Sequence, residues 1–90
     1  MSTREQNWDT IHELQKVMGY DSVGNDLLLQ EVLLWIDLPT KVSMYEDICN
    51  LWNVDKIEDM SQKDLLNEVV KYFTSNYMQE ILDDIKNLWV

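Results

Sequence analysis

The single histidine and the single cysteine of this chain are its residues best suited to nucleophilic or metal chemistry. A Cys–His nucleophilic pair, or a metal site, would need His12 and Cys49 on two helices that meet. His12 follows Trp8 by about one helical turn, and a cysteine within an apolar stripe is usually an unreactive packing residue. We therefore predict that both residues have structural roles.

Carboxylates are the second candidate for chemistry, and they fall into three groups: Glu46 with Asp47, Asp55 with Glu58 and Asp59, and Asp83 with Asp84. Paired carboxylates act as acids, bases or metal ligands only in a pocket that perturbs their pKa values. The middle group lacks the glycine and the distal glutamate of a calcium-binding EF-hand. The other two groups are predicted to lie in first helical turns, where they oppose the helix dipole. We predict no catalytic, cofactor or metal site, and a small carboxylate-based enzyme or metal protein stays as an alternative.

The charge of the chain is strongly acidic, with 7 basic and 17 acidic residues and a net charge of -10. Such a field repels nucleic-acid phosphates. It attracts a basic protein and accelerates the encounter, although an acidic surface also serves solubility alone. We predict a basic protein partner and no direct nucleic-acid binding.

Cysteine usage and hydropathy predict a cytoplasmic protein. One cysteine cannot form an internal disulfide, and the first eight residues, MSTREQNW, lack the apolar segment of a signal peptide. The longest apolar run, residues 27–36, is interrupted by Gln30 and Glu31 and is too short to cross a bilayer. We predict no membrane segment.

The spacing of apolar residues predicts an all-α fold. Two glycines and one proline among 90 residues leave few turns, and apolar residues recur at the three- and four-residue spacing of helices. We predict a single domain, residues 1–90, which forms a compact bundle of four to five short helices.

The first two helices are delimited by turn-forming residues. The N-terminal helix is predicted at about residues 3–18, and Gly19 ends it. The second helix is predicted to end near Leu38, because Pro39 disfavours helix in the residue before it. Its predicted N-cap is one of three polar residues: Ser22, Asn25 or Asp26.

Capping pairs predict the start of the later helices. A serine and a glutamate with capping-box spacing predict a third helix over residues 43–52. A polar connection follows at residues 53–60, and a similar pair predicts the start of a fourth helix at Ser61. The helical pattern breaks at residues 74–76 without a glycine or proline, so the final helix, which ends near residue 89, is either separate or continuous with the fourth.

The chain contains an internal repeat with a 37-residue period. Residues 24–52 align without a gap on residues 61–89, and nine of the 29 aligned positions are identical, where chance gives roughly two. The closest match pairs EDICNLW, residues 46–52, with DDIKNLW, residues 83–89. We interpret these halves as two duplicated helical hairpins, and we predict that the isoleucine, leucine and tryptophan of the repeated segment are buried.

Positions where the halves differ are candidates for a partner surface. Leu27 and Leu34 align with Asp64 and Lys71, so the second helix has an additional apolar line, which continues to Leu38. Either the N-terminal helix covers this line, or a partner or second copy of the chain does.

Exposed aromatic residues are typical anchors of protein interfaces. Trp35 is the tryptophan that we expect to be most exposed, and it could pair with Tyr72. We predict a partner-binding surface formed by these aromatics, the apolar line and the acidic connection: Leu27, Leu34, Trp35, Leu38, Tyr72, Asp55, Glu58 and Asp59. The predicted function is a non-catalytic, acidic protein–protein interaction module, such as a small inhibitor or regulator of a basic protein. The alternative is a homo-oligomeric structural protein joined through the apolar line.

Overall fold

Five α-helices make up the protein in a computed structural model that describes residues 3–89, and this range contains no strand. The helices are α1 (Thr3–Met18), α2 (Ser22–Leu34), α3 (Leu38–Trp52), α4 (Gln62–Tyr72) and α5 (Ser75–Trp89), with a short 3-10 helix at Ile57–Asp59. The predicted all-α bundle is confirmed, and α4 and α5 are separate helices. No helix in the described range is long and apolar enough to span a bilayer.

The turn between α1 and α2 depends on two glycines. Gly19 ends α1 as predicted, with a φ of 119° that side chains rarely allow. Asp21 caps α2 by accepting a hydrogen bond from the Gly24 N–H (2.9 Å). A Cβ atom on Gly24 would lie 2.1 Å from the Gly19 carbonyl oxygen, so the two backbones are in direct contact. The residues predicted as caps lie inside α2 instead: Ser22, Asn25 and Asp26.

The predicted boundary between α2 and α3 is wrong. The chain leaves α2 after Leu34 and begins α3 at Leu38, with Asp37 as the N-cap. Pro39 therefore lies in the first turn of α3, where its missing N–H has no helical partner to lose. Ser43, which we predicted as a cap, is inside α3.

The core lies between all five helices, and its most extensive helix–helix contact joins α1 to α5. Along α1, Asn7 contacts Ser75, Thr10 contacts Gln79, and Glu13 forms an ion pair with Lys86. The two helices therefore run in the same direction. Helix α2 contacts α1, α4 and α5, as expected of a central helix. The fully buried apolar side chains of α1 and α5 are Ile11, Leu14, Met78, Leu82 and Ile85.

Polar residues link α1 to α5 within this apolar contact. Asn7 is 0% exposed, and its side-chain amide donates to the Ser75 carbonyl (3.0 Å) and to Gln79 Oε1 (2.9 Å). Gln79 Nε2 in turn donates to Thr10 Oγ1 (3.0 Å). Every buried side-chain nitrogen and oxygen in residues 4–89 has a hydrogen-bond partner. The polar row therefore adds specificity to the contact without leaving an unsatisfied group.

Arg4 connects this row to the C-terminus of α4. Its guanidinium donates to the Val70 carbonyl, to the Phe73 carbonyl (2.7 Å) and to Asn7 Oδ1 (3.1 Å). The last carbonyls of a helix lack intrahelical partners, and cations are favourable there because of the helix dipole. Arg4 thus caps α4 from a distant part of the chain.

An ion pair between Glu13 and Lys86 gives a testable pKa shift on the surface of the α1–α5 contact. The hydrogen bond and charge of Lys86 hold the pKa of Glu13 below its ordinary value of 4.5. The contribution of this ion pair to stability is therefore present at a pH above the ordinary pKa of Glu13. It is lost as the pH falls through the lowered pKa of Glu13. We expect Lys86→Met to return the Glu13 pKa towards 4.5 in an NMR titration of the carboxyl group, whereas Lys56→Met leaves it unchanged. A Glu13 pKa that is insensitive to Lys86→Met contradicts the pairing.

Aligned positions of α3 and α5 have the same exposure, although the duplication itself stays a prediction. Leu51 and Leu88 are each 71% exposed, and Trp52 and Trp89 are 40% and 37% exposed. The prediction that the leucine and tryptophan of the repeated segment are buried is therefore wrong in both halves. Only the isoleucines are buried: Ile48 and Ile85.

The acidic pairs of the repeated segment also lie elsewhere than predicted. Glu46 and Asp47 occupy the second half of α3, and Asp83 and Asp84 the second half of α5. Neither pair is in a first turn, so the helix dipole does not explain them. All four side chains are exposed.

Candidate functional site

Helix α3 is the least covered of the helices. Only two of its 15 residues, Met44 and Ile48, are buried. Its exposed large apolar residues run from one end of the helix to the other: Leu38, Val42, Leu51 and Trp52. A helix that leaves this much apolar surface open has the composition of a protein-binding element.

The groove between α3 and α4 combines carboxylates with exposed apolar side chains. It has a volume of about 310 Å³ and is lined by Asp47, Ile48, Leu51, Glu68, Lys71 and Tyr72. The Tyr72 hydroxyl donates to Asp47 Oδ2 (2.9 Å), and Lys71 Nζ lies 3.2 Å from Glu68 Oε1. The one cation of this groove is thus already paired, whereas an acceptor oxygen of Asp47 stays open.

A second groove lies on the other side of α3, against the connection to α4. Its volume is about 510 Å³, and its lining residues are Tyr45, Glu46, Cys49, Asn50, Val54, Asp55 and Ile57. Burial, together with the charge of Glu58, raises the pKa of Tyr45. Cys49 is half-buried at the groove wall rather than in the core.

The predicted partner-binding residues are distributed over several places rather than gathered in one groove. Tyr72 and Asp55 line the two grooves beside α3, and Glu58 and Asp59 are exposed on the 3-10 helix. The ring contact of Tyr72 is with Phe73, edge-on at 5.2 Å, rather than with Trp35.

The apolar line of α2 ends at Leu34, and the prediction that it continues to Leu38 is wrong because Leu38 is the first residue of α3. Leu34 is 76% exposed and Leu38 68% exposed, so α1 does not cover them. Leu27 is half-buried, and Trp35 is exposed at the end of α2. The partner-binding role of these residues stays a prediction.

A third cavity, the α1–α4 cleft, opens between α1, the start of α2 and the start of α4. It has a volume of about 550 Å³ and is lined by Trp8, His12, Gln15, Tyr20, Asn25, Lys63, Asp64, Leu66 and Asn67. His12 lies here and Cys49 at the α3 groove, so the two residues do not form a pair. Residues 3–89 contain no group of three or more histidine, cysteine or carboxylate side chains able to hold a metal ion.

Hydrogen bonds fix one wall of this cleft. Gln15 Nε2 donates to Asn25 Oδ1 (2.8 Å), and both amides are nearly buried. His12 Nδ1 is within hydrogen-bond distance of Gln15 Oε1 (3.2 Å), and the Tyr20 hydroxyl donates to the His12 carbonyl (3.3 Å). The His12 ring is 6.4 Å from the Trp8 ring, as predicted from their spacing.

Comparison with known proteins finds no family model, no curated protein and no solved structure to which the chain is significantly similar.

Two features of these sites were not recognised in the sequence. The exposure of Leu51 and Trp52 depends on what packs against α3, and a helical stripe alone does not report this. The α1–α4 cleft assembles residues from three separate segments. No local pattern indicated it, because Asn25 was predicted as a possible N-cap and the other amides, Gln15 and Asn67, lie on separate helices.

Proposed function

We propose that this protein is a non-catalytic interaction module, a small inhibitor or regulator that binds a basic protein through the exposed face of α3. The observation that carries the proposal is that α3 buries only two side chains while Leu51 and Trp52 are 71% and 40% exposed. Exposed tryptophan is a typical interface anchor, and the exposed leucine beside it adds apolar surface for a partner to cover.

Charge favours a basic partner for this face. The two grooves beside α3 contain four carboxylates, from Asp47 and Glu68 on one side and Glu46 and Asp55 on the other. Lys71 is paired with Glu68, so the carboxylates of Asp47, Glu46 and Asp55 are available to arginine or lysine side chains of a partner. The net charge of -10 would steer such a partner from a distance and accelerate association.

The placement of two of these carboxylates supports a role beyond helix stability. Glu46 and Asp47 are exposed in the second half of α3, outside the first turn in which the helix dipole favours negative charge. A cationic side chain of a partner would pair with these exposed carboxylates. In the bound state the apolar anchors would supply affinity, and the carboxylates would select a basic surface.

The proposal predicts that the two repeat-related Leu–Trp pairs differ in binding. The probe is an amphipathic helical peptide of leucine and lysine, measured by calorimetry at physiological salt, with a leucine–glutamate peptide as its acidic counterpart. We expect binding of the basic peptide alone, and we expect the double variant Leu51→Ala, Trp52→Ala to weaken it by about thirtyfold, the effect of losing an interface anchor.

The matched control is the double variant Leu88→Ala, Trp89→Ala. Its side chains have nearly the same exposure as the α3 pair, but they lie on α5, away from both grooves. We expect it to bind like the wild type. Equal losses in the two variants, equal binding of the acidic peptide, or a proteome-wide screen that yields only neutral or acidic partners would contradict the proposal.

A homo-oligomer is the second candidate function, because Leu34 at the end of α2 and Leu38 at the start of α3 are 76% and 68% exposed. The net charge of -10 opposes association of like chains. A monomer mass by light scattering at high protein concentration would eliminate this candidate, whereas a dimer that Leu34→Glu dissociates would favour it.

A further inference from the structure

The α1–α4 cleft has the dimensions of a small-molecule site. Its volume of about 550 Å³ falls within the range of about 300–1,000 Å³ that is typical of ligand pockets, and it is the most enclosed of the three cavities described above. It shares no lining residue with the two grooves beside α3. Any ligand bound here is therefore separate from the partner proposed for α3.

Two polar groups in the cleft have no partner within the protein. In the part of the chain that the structure describes, the side-chain amide of Asn67 and the carboxylate of Asp64 make no hydrogen bond or ion pair, and both residues are half-buried in the cleft wall. The Gln15 side-chain amide donates to Asn25 Oδ1 and that of Asn25 donates to the Tyr20 carbonyl (3.5 Å), so each primary amide has one further N–H to offer. The cleft thus offers both acceptors and donors to a ligand.

Aromatic and apolar side chains provide the remainder of the wall. Trp8 is half-buried against the core, Leu66 is buried, and Tyr20 is held at the cleft by the hydrogen bond from its hydroxyl to α1. Indole and phenol rings favour stacking with a flat, polarisable ring system. A planar ligand would contact these rings while its edge meets the amides.

The charges around the cleft favour an uncharged ligand over a phosphorylated one. Lys63 and Asp64 balance one another among the lining residues, while the chain as a whole has a net charge of -10. A phosphorylated ligand would therefore be repelled by the overall field.

We propose that the α1–α4 cleft binds a neutral aminopurine, the class of free adenosine. An aminopurine has an exocyclic amine beside a ring nitrogen, and a carboxamide pairs with this donor and acceptor at once. Asn67 supplies such a carboxamide, the carboxylate of Asp64 accepts from an amine, and the purine ring stacks on the aromatic wall.

The test is a titration of the intact protein with adenosine, followed by amide chemical shifts in NMR spectra. We expect saturable shifts at the cleft residues of α1, α2 and α4, and binding of adenosine monophosphate that is at least tenfold weaker. No saturable shift up to the solubility limit of adenosine would overturn the proposal. So would equal binding of the monophosphate, or shifts confined to the grooves beside α3.

Variants locate the site. We expect Asn67→Leu and Tyr20→Leu each to weaken adenosine binding by about tenfold, which is within the range for loss of a stacked or hydrogen-bonded base contact. Tyr20 is 59% exposed, so its replacement leaves the core intact. The control Asn87→Leu, at an exposed site of α5, and the α3 double variant should bind adenosine like the wild type. Unchanged binding in both cleft variants would overturn the assignment, whatever the result for the basic peptide.

Discussion

Replacing Gly24 by alanine should lower the free energy of unfolding by about 2 to 3 kcal/mol, although alanine is the better helix former. The substitution gains about 1 kcal/mol of helix propensity. The added Cβ atom, however, would lie 2.1, 2.5 and 2.7 Å from backbone atoms of Gly19. Backbone cannot move aside as a side chain does, so the overpacking cost reaches or exceeds the usual upper value of about 3 kcal/mol. The clash therefore outweighs the gain in propensity.

Urea denaturation and a thermal melt followed by circular dichroism measure this effect. For a domain of this size the loss corresponds to a decrease in Tm of about 10–20 °C. The matched control is Val23→Ala, one residue earlier in the first turn of α2 and 65% exposed, which should change stability by less than about 0.5 kcal/mol. If Gly24→Ala is as stable as Val23→Ala, the close contact between the two glycines is absent in solution.

Replacing Asn7 by leucine should cost about 3 kcal/mol of stability. Leucine has a similar branched shape, so the change removes the hydrogen bonds, and its larger volume adds some overpacking. The amide of Asn7 is 0% exposed and contacts the Ser75 carbonyl, Gln79 and Arg4. Each buried group that is left without a partner costs about 1–3 kcal/mol, and leucine can make none of these bonds.

Gln6→Leu is the control for Asn7→Leu, since Gln6 is the exposed neighbour on the same helix. It should leave the midpoint of urea denaturation nearly unchanged. Comparable midpoints for the two variants would mean that the polar row between α1 and α5 contributes nothing to stability.

Local signals in the sequence were sufficient for most helix ends. Gly19 ends α1 because its positive φ excludes other residues, and Ser61 caps α4 by accepting from the Asp64 N–H (3.2 Å). Pro39 misled the prediction because proline both follows one helix and begins another. The apolar spacing of residues 34–38 continues through the turn, so only the backbone path distinguishes the two cases.

Tertiary contacts decided what the sequence left open. Leu51 and Ile48 belong to one helical stripe, yet one is exposed and the other buried, because the neighbours of α3 cover only part of that stripe. The hydrogen bonds of Arg4 and Asn7 reach residues 66 to 72 positions away, and no local pattern indicates such partners. The α1–α4 cleft was missed for the same reason, since its walls come from three segments.

The pairing of α1 with α5 has a consequence for how the chain is made. Hydrogen bonds between these helices join residues up to 72 positions apart. A ribosome that adds about 5–20 residues per second therefore synthesises the two partners roughly 4–14 s apart. Of the two helices that α1 contacts most, α5 and α2, only α2 has been synthesised during most of that time. We expect nascent chains to hold an α1–α2 pair, closed at Gly19 and Gly24, whose remaining apolar face stays open to chaperones until α5 is synthesised.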